Sequence, residues 1–94
     1  MIEFLMHEDK DTVGVAVVDI KAGKQVGGRS LHGKASPKLK ALMDIPLGHK
    51  IALHDFKPGD TVIKYGEDIG KVVAPIKKGG LVHVHNVKTL RWSI

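Results

Sequence analysis

Apolar and polar positions alternate along this chain only over short stretches, and each stretch ends at glycine, proline, aspartate or asparagine. Residues 12–18 are rich in β-branched side chains and short enough to form a buried strand. In residues 50–54 polar and apolar positions alternate, so Ile51 and Leu53 share one face. Residues 61–65 and 69–74 read as two further strands, joined as a hairpin through Gly66-Glu67-Asp68. Leu81-Val82-His83-Val84-His85-Asn86 is the most regular alternation in the chain and predicts one strand. Breakers recur about every ten residues, which argues against long helices. Residues 38–43 fit one helical turn or another strand. The glycine-rich stretch between Val26 and Pro37 is the candidate for a mobile loop.

A short motif recurs four times: an apolar residue, two residues, glycine, two residues, an apolar residue. The copies start at Ile20, Ile45, Phe56 and Ile76, with glycines at Gly23, Gly48, Gly59 and Gly79. Asp19, Asp44 and Asp55 precede the first three copies, and Pro75 precedes the fourth. Each copy predicts a tight corner whose glycine takes positive φ and whose aspartate accepts hydrogen bonds from turn amides. The uneven spacing of the copies argues against a solenoid. The pattern predicts one all-β domain over residues 1–94, made of short strands and similar corners.

Composition narrows the setting. A domain of 94 residues leaves little depth for an enclosed active site, so a site here is expected to borrow walls from a partner. Cysteine is absent, which excludes disulfides and thiolate metal sites and suits a reducing compartment. The amino-terminal residues do not read as a signal peptide, and no apolar run approaches a membrane span. A cytoplasmic protein that does not engage a membrane is therefore expected. The net charge of +5 raises the question of nucleic acid. The lysines are scattered, however, and only Phe4, Phe56, Tyr65 and Trp92 are aromatic, so nucleic-acid binding is disfavoured. A mild attraction for small anions such as carboxylates remains.

Chemistry centres on histidine. In a continuous strand His83 and His85 project to the same side, while Val82 and Val84 face the core. Two imidazoles there can grip a metal ion or a substrate oxygen, with the Asn86 amide beside them. The plain alternative is the exposed polar face of an ordinary strand. Asp44, Asp55, Glu67 and Asp68 are available carboxylates, although aspartates in turns more often serve the turn. Gly48-His49-Lys50 could receive a carboxylate or phosphate, though local pattern alone favours a polar turn. Lys64 and Tyr65 offer an ammonium and a phenol. No cysteine nucleophile, serine elbow, phosphate loop or dinucleotide fingerprint is present.

Several ordered segments carry a resemblance: residues 44–53, 59–66 and 69–71, then His83-Val84-His85-Asn86, with Val13-Gly14-Val15-Ala16 and residues 19–23 at the start. Together they resemble the SAF domain of the altronate/galactarate dehydratase family. The resemblance implies a β-clip fold, a long bent hairpin folded on itself with additional short strands. It also implies either fusion to a larger catalytic region or a separate small subunit. With nothing after Ile94, the small subunit is the expected arrangement. The activities implied are dehydration of altronate or galactarate, or cleavage of sulfolactate to pyruvate and sulfite. Each starts at an acidic carbon next to a carboxylate and expels a group from the neighbouring carbon.

The resemblance further implies a divalent metal, iron foremost, shared with a large catalytic lyase subunit that holds most of its ligands. His83 and His85 are then the expected catalytic and metal-contacting residues. Asn86, His49, Lys50, Lys64 and Tyr65 are the expected contacts to a small carboxylate substrate. Little activity is expected of the chain alone. A self-contained binding module for an acidic sugar or other small anion is the alternative.

Overall fold

The computed structural model describes residues 2–8, 10–36, 38–64, 67–83 and 87–89, with the backbone alone for Lys64, Glu67, Asp68, Lys88 and Thr89. Every described element is a strand, and each is short: β1 (Phe4–Met6), β2 (Val13–Ala16), β3 (Gln25–Val26), β4 (Gly28–Ser30), β5 (Leu39–Lys40), β6 (Lys50–Ala52), β7 (Thr61–Lys64), β8 (Glu67–Val72), β9 (Leu81–Val82) and β10 (Val87–Thr89). They form a five-stranded sheet in the order β4-β1-β2-β6-β9, a three-stranded sheet β10-β8-β7 and a pair β3-β5. All pairings are antiparallel except β1 with β4. The all-β class expected from the pattern is what the chain adopts.

Four corners organise these strands. In each, the motif glycine is the third residue of a four-residue turn and has φ between 86° and 95°. An L side chain rarely adopts such a φ, which is why glycine recurs at this position. The turns are closed by amides of Lys24, His49, Asp60 and Gly80 donating to carbonyls of Lys21, Pro46, Lys57 and Lys77 at 2.8–3.2 Å.

The corners work in two pairs. Ile20 and Ile45 exchange both backbone hydrogen bonds (2.9 and 2.8 Å), and so do Phe56 and Ile76 (2.7 and 3.1 Å). Each glycine amide also reaches its partner's strand: Gly23 donates to Ala41, Gly48 to Ala16, Gly59 to Val72 and Gly79 to Ala52, at 2.7–2.9 Å. The aspartates cap across these pairs, whereas the sequence suggested capping of each aspartate's own turn. Asp19 accepts from Leu47, Asp44 from Ala22 and Asp55 from Lys78, at 2.8–2.9 Å.

Two apolar cores result. One gathers Phe4, Met6, Ala16, Ile20, Val26, Leu39, Ala41, Ile45 and Ile51, with Leu53 packed against it. The other gathers Val13, Ala52, Phe56, Val62, Val72, Ile76, Val82 and Val87. Ile51 and Ala52 are adjacent on β6 and fully buried on opposite sides, so this strand serves both cores.

Some local expectations shift. The hairpin β7–β8 forms, but Glu67 and Asp68 already belong to β8, with Lys64 paired to Glu67. The stretch between Val26 and Pro37 contains strand β4, an Arg29–Ala35 bridge and a cap in which Ser30 Oγ accepts amides of His32 and Lys34. Residues 38–43 contain the strand β5. Residues 12–18 contain the strand β2 over Val13–Ala16, but Val15 is only half-buried and Val17, past the strand's end, is exposed.

Candidate functional site

The site lies where the edge strand β9 of the larger sheet meets β8 and β10 of the smaller one. The pairing of β6 with β9 sets Lys50 opposite Val82 and Ile51 opposite Leu81. One step further along this ladder, His49 and His83 face each other. Their rings are near parallel, at 6° between planes, with centroids 6.3 Å apart. That separation lies within the range of interacting aromatic pairs. Sequence patterning had placed these residues in different motifs, and only strand register brings them together.

The two imidazoles stand over an open concavity of about 300 Å³ lined by Gly48, His49, Lys50, Ile69, Val82, His83 and Val87. Its floor is apolar and comes from three strands. Its described rim carries two imidazoles and an ammonium stem and includes no carboxylate. Such a rim suits an anion with a short carbon skeleton.

The backbone of His49 is fixed on both sides. Its carbonyl accepts the Ala16 amide at 2.8 Å, and its amide donates to the Pro46 carbonyl at 3.0 Å. His83 marks the end of β9. The Val87 amide donates to the His83 carbonyl at 3.1 Å, and the chain then joins the other sheet as β10. The strand expected over residues 81–86 therefore stops at Val82. Residues 84–86, on which the expected alignment of His83 with His85 depends, lie outside the described residues.

Of the expected site residues, His49, Lys50 and His83 converge on one groove. Lys64 ends β7, with its side chain outside the described residues, and Tyr65, His85 and Asn86 lie outside them altogether. Ile69 and Val87 escaped sequence reasoning because nothing distinguishes an apolar floor residue from an ordinary core residue in the pattern. Asp44 and Asp55 are occupied as corner caps. Among the described residues no three His, Asp or Glu side chains gather so as to hold a metal ion.

The other described histidines lie elsewhere. His54 contacts the Asp55 carbonyl through Nδ1 at 2.7 Å and packs on Phe56. His7 and His32 flank Glu8 at 3.4 and 3.2 Å. Among the described residues, no helix is long and apolar enough to cross a membrane.

Comparison with known proteins agrees with the segment resemblance. Residues 2–90 match the altronate/galactarate dehydratase SAF domain. The chain is 45% identical to the (2R)-sulfolactate sulfo-lyase subunit alpha of Chromohalobacter salexigens, over 97% of this chain and 98% of that one. It is 62% identical over 55 residues to the protein of the same name from Paracoccus pantotrophus, covering 58% of this chain and 82% of that one. It is 35% identical to the altronate dehydratase of Bacillus subtilis over 95% of this chain, which is only 17% of that longer protein. On this match and on its all-β corners, the chain belongs to the altronate/galactarate dehydratase SAF domain family.

Proposed function

We propose that the chain is the small accessory subunit of a lyase acting on a 2-hydroxy acid, with sulfolactate cleavage to pyruvate and sulfite as the favoured reaction. Its groove forms one wall of a pocket that a larger subunit completes. The observation that carries this reading is the pairing of His49 with His83 over an apolar floor, on an open face of a small domain. The near end-to-end match to a relative named as a lyase subunit alpha favours the two-subunit arrangement and the sulfolactate substrate. The net charge of +5 and the nitrogen-bearing rim favour an anionic substrate.

In this reading His83 touches the substrate at the pocket edge and Lys50 faces its acidic end. A divalent ion, when bound, would acidify the carbon beside the substrate carboxylate. Two rim imidazoles fit only part of a coordination sphere, so most of its ligands belong to the larger subunit. The absence of cysteine is compatible with work in the cytoplasm.

The test is co-expression with the larger lyase subunit, followed by assays for sulfite release from sulfolactate and for dehydration of altronate and galactarate. The expected result is sulfite release that needs both chains and falls at least about a hundredfold in His83→Ala, as for loss of a group at the reacting centre. Full activity of the larger subunit alone, or of the His83→Ala assembly, would overturn the reading. Tight binding of these acids by the isolated chain, without any assembly, would instead favour a self-contained binding module.

A further inference from the structure

We propose that Ile69 is a specificity-determining residue: it makes the groove floor apolar, so that the groove takes a short 2-hydroxy acid and disfavours a polyhydroxylated sugar acid. This rests on the functional reading above, in which the groove is one wall of the substrate pocket.

Regular alternation along β8 would turn Ile69 away from the groove. Gly70 and Val72 are buried, with Val72 in the second core, while Lys71 is exposed and donates to Thr61 Oγ1 across the ladder. Ile69 is two residues from Lys71 and would share its outer face in an unbroken strand. The ladder is broken at this point. Val62 stands opposite Gly70, but Ile63 stands opposite Asp68, so the register gives Ile69 no counterpart on β7. Ile69 is the extra residue of a β-bulge, a device that takes one side chain out of the alternating pattern and re-aims it. It accordingly packs against the second core and lines the groove beside Val82 and Val87.

The floor completed in this way is a poor surface for hydroxyl groups. Ile69, Val82 and Val87 offer only hydrocarbon side chains. The polar side chains of the described lining, His49, Lys50 and His83, belong to the rim. A 2-hydroxy acid with a short skeleton keeps its charged ends at that rim and lays C–H groups on the floor. Each further hydroxyl of a longer sugar acid would give up water and meet no partner there, a cost that a polar floor would avoid.

The test uses the assembly of this chain with the larger subunit and reads inhibition of sulfite release from sulfolactate, so the competing acid need not be turned over. In the parent assembly 2-hydroxybutanoate is compared with 2,4-dihydroxybutanoate. The added hydroxyl is expected to weaken inhibition about tenfold. Ile69→Thr puts a hydroxyl on the floor, and Ile69→Val has nearly the same shape without one. Relative to Ile69→Val, Ile69→Thr is expected to recover most of that loss and to tighten inhibition by altronate about tenfold. Ile69→Gln, whose amide reaches into the open groove, is the second polar variant and should act in the same direction if Ile69→Thr fails to assemble. Equal inhibition by the two acids in the parent would overturn the proposal, as would polar variants that behave like Ile69→Val. A parent assembly that dehydrates altronate in preference to cleaving sulfolactate would overturn it too, while leaving the lyase-subunit reading in place. Full activity of the larger subunit without this chain would defeat that reading, and the proposal with it.

Discussion

Asp19 caps the corner that follows Asp44, and Asp44 caps the corner that follows Asp19. Asp19 Oδ1 accepts the Leu47 amide and Asp44 Oδ1 accepts the Ala22 amide, both at 2.9 Å. The same rule explains why the other pair has only one such cap. Asp55 accepts the amide of Lys78, two residues after Ile76. The residue two after Phe56 is Pro58, which has no amide hydrogen, and the position that would hold its acceptor is Pro75. Donor and acceptor are missing together.

Asp19→Ala and Asp44→Ala should therefore each lower stability by about 1 kcal/mol, the usual net worth of one such hydrogen bond. The double variant should cost less than the sum, because both caps serve one Ile20–Ile45 pair. Pro75→Asp should gain nothing, since no amide awaits it. Urea unfolding of the four variants checks all of this, and a clear stabilisation by Pro75→Asp would contradict the cross-capping rule.

These corners also show which parts of the fold were legible in the sequence. The glycines, their positive φ and the flanking apolar residues follow from local chemistry and could be read from one strand of text. The pairing of corners could not, because a turn motif does not name its partner. The exchange of aspartate caps and the meeting of His49 with His83 are consequences of that pairing, so both were hidden. The strand read over Leu81 to Asn86 was legible only in part: β9 ends at Val82 and the chain has joined the other sheet at Val87, a tertiary event that periodicity does not encode.

Phe4 is fully buried with its ring against Gly14 of β2 and Gly28 of β4. A Cβ at either glycine would overlap the ring atoms of Phe4. Gly28→Ala and Gly14→Ala should each cost about 1–3 kcal/mol through overpacking. Gly28→Ala combined with Phe4→Leu should be less destabilised than the two single changes summed, which thermal unfolding would reveal as a favourable coupling.

Glu3 contributes a pH dependence to stability. Its Oε1 accepts the Gly27 amide at 3.0 Å, and Lys24 Nζ lies 3.5 Å from Oε2. The amide hydrogen bond, aided by the Lys24 ammonium and opposed by burial, holds the carboxyl below its ordinary value of 4.5. The folded chain therefore holds the ionised form more strongly than the unfolded chain does. This contribution is complete above the unfolded value and is lost as pH falls through the folded one. Glu3→Gln should be less stable than the parent at pH 7, and the gap should close on acidification. A gap that stays constant from pH 7 down to pH 3 would show that the charge is not responsible.

Thr12 holds the irregular point of β7. The register of β7 on β8 shifts between Val62 and Ile63, which leaves the Ile63 amide to find a partner elsewhere. Thr12 Oγ1 accepts it at 2.9 Å, and the Thr12 amide donates back to the Ile63 carbonyl at 2.8 Å. This exchange ties the smaller sheet to the strand that leads into β2. Thr12→Val keeps the shape and the β-branch but strands the Ile63 amide, which is half-buried. It should cost about 1–3 kcal/mol, the penalty for a buried donor left without an acceptor. Thr12→Ser keeps the hydroxyl and should cost clearly less. Hydrogen exchange at the Ile63 amide separates the two explanations for any loss. Exchange that speeds up in Thr12→Val but not in Thr12→Ser assigns the effect to this bond, and exchange unchanged in Thr12→Val would show that the hydroxyl does not hold this amide.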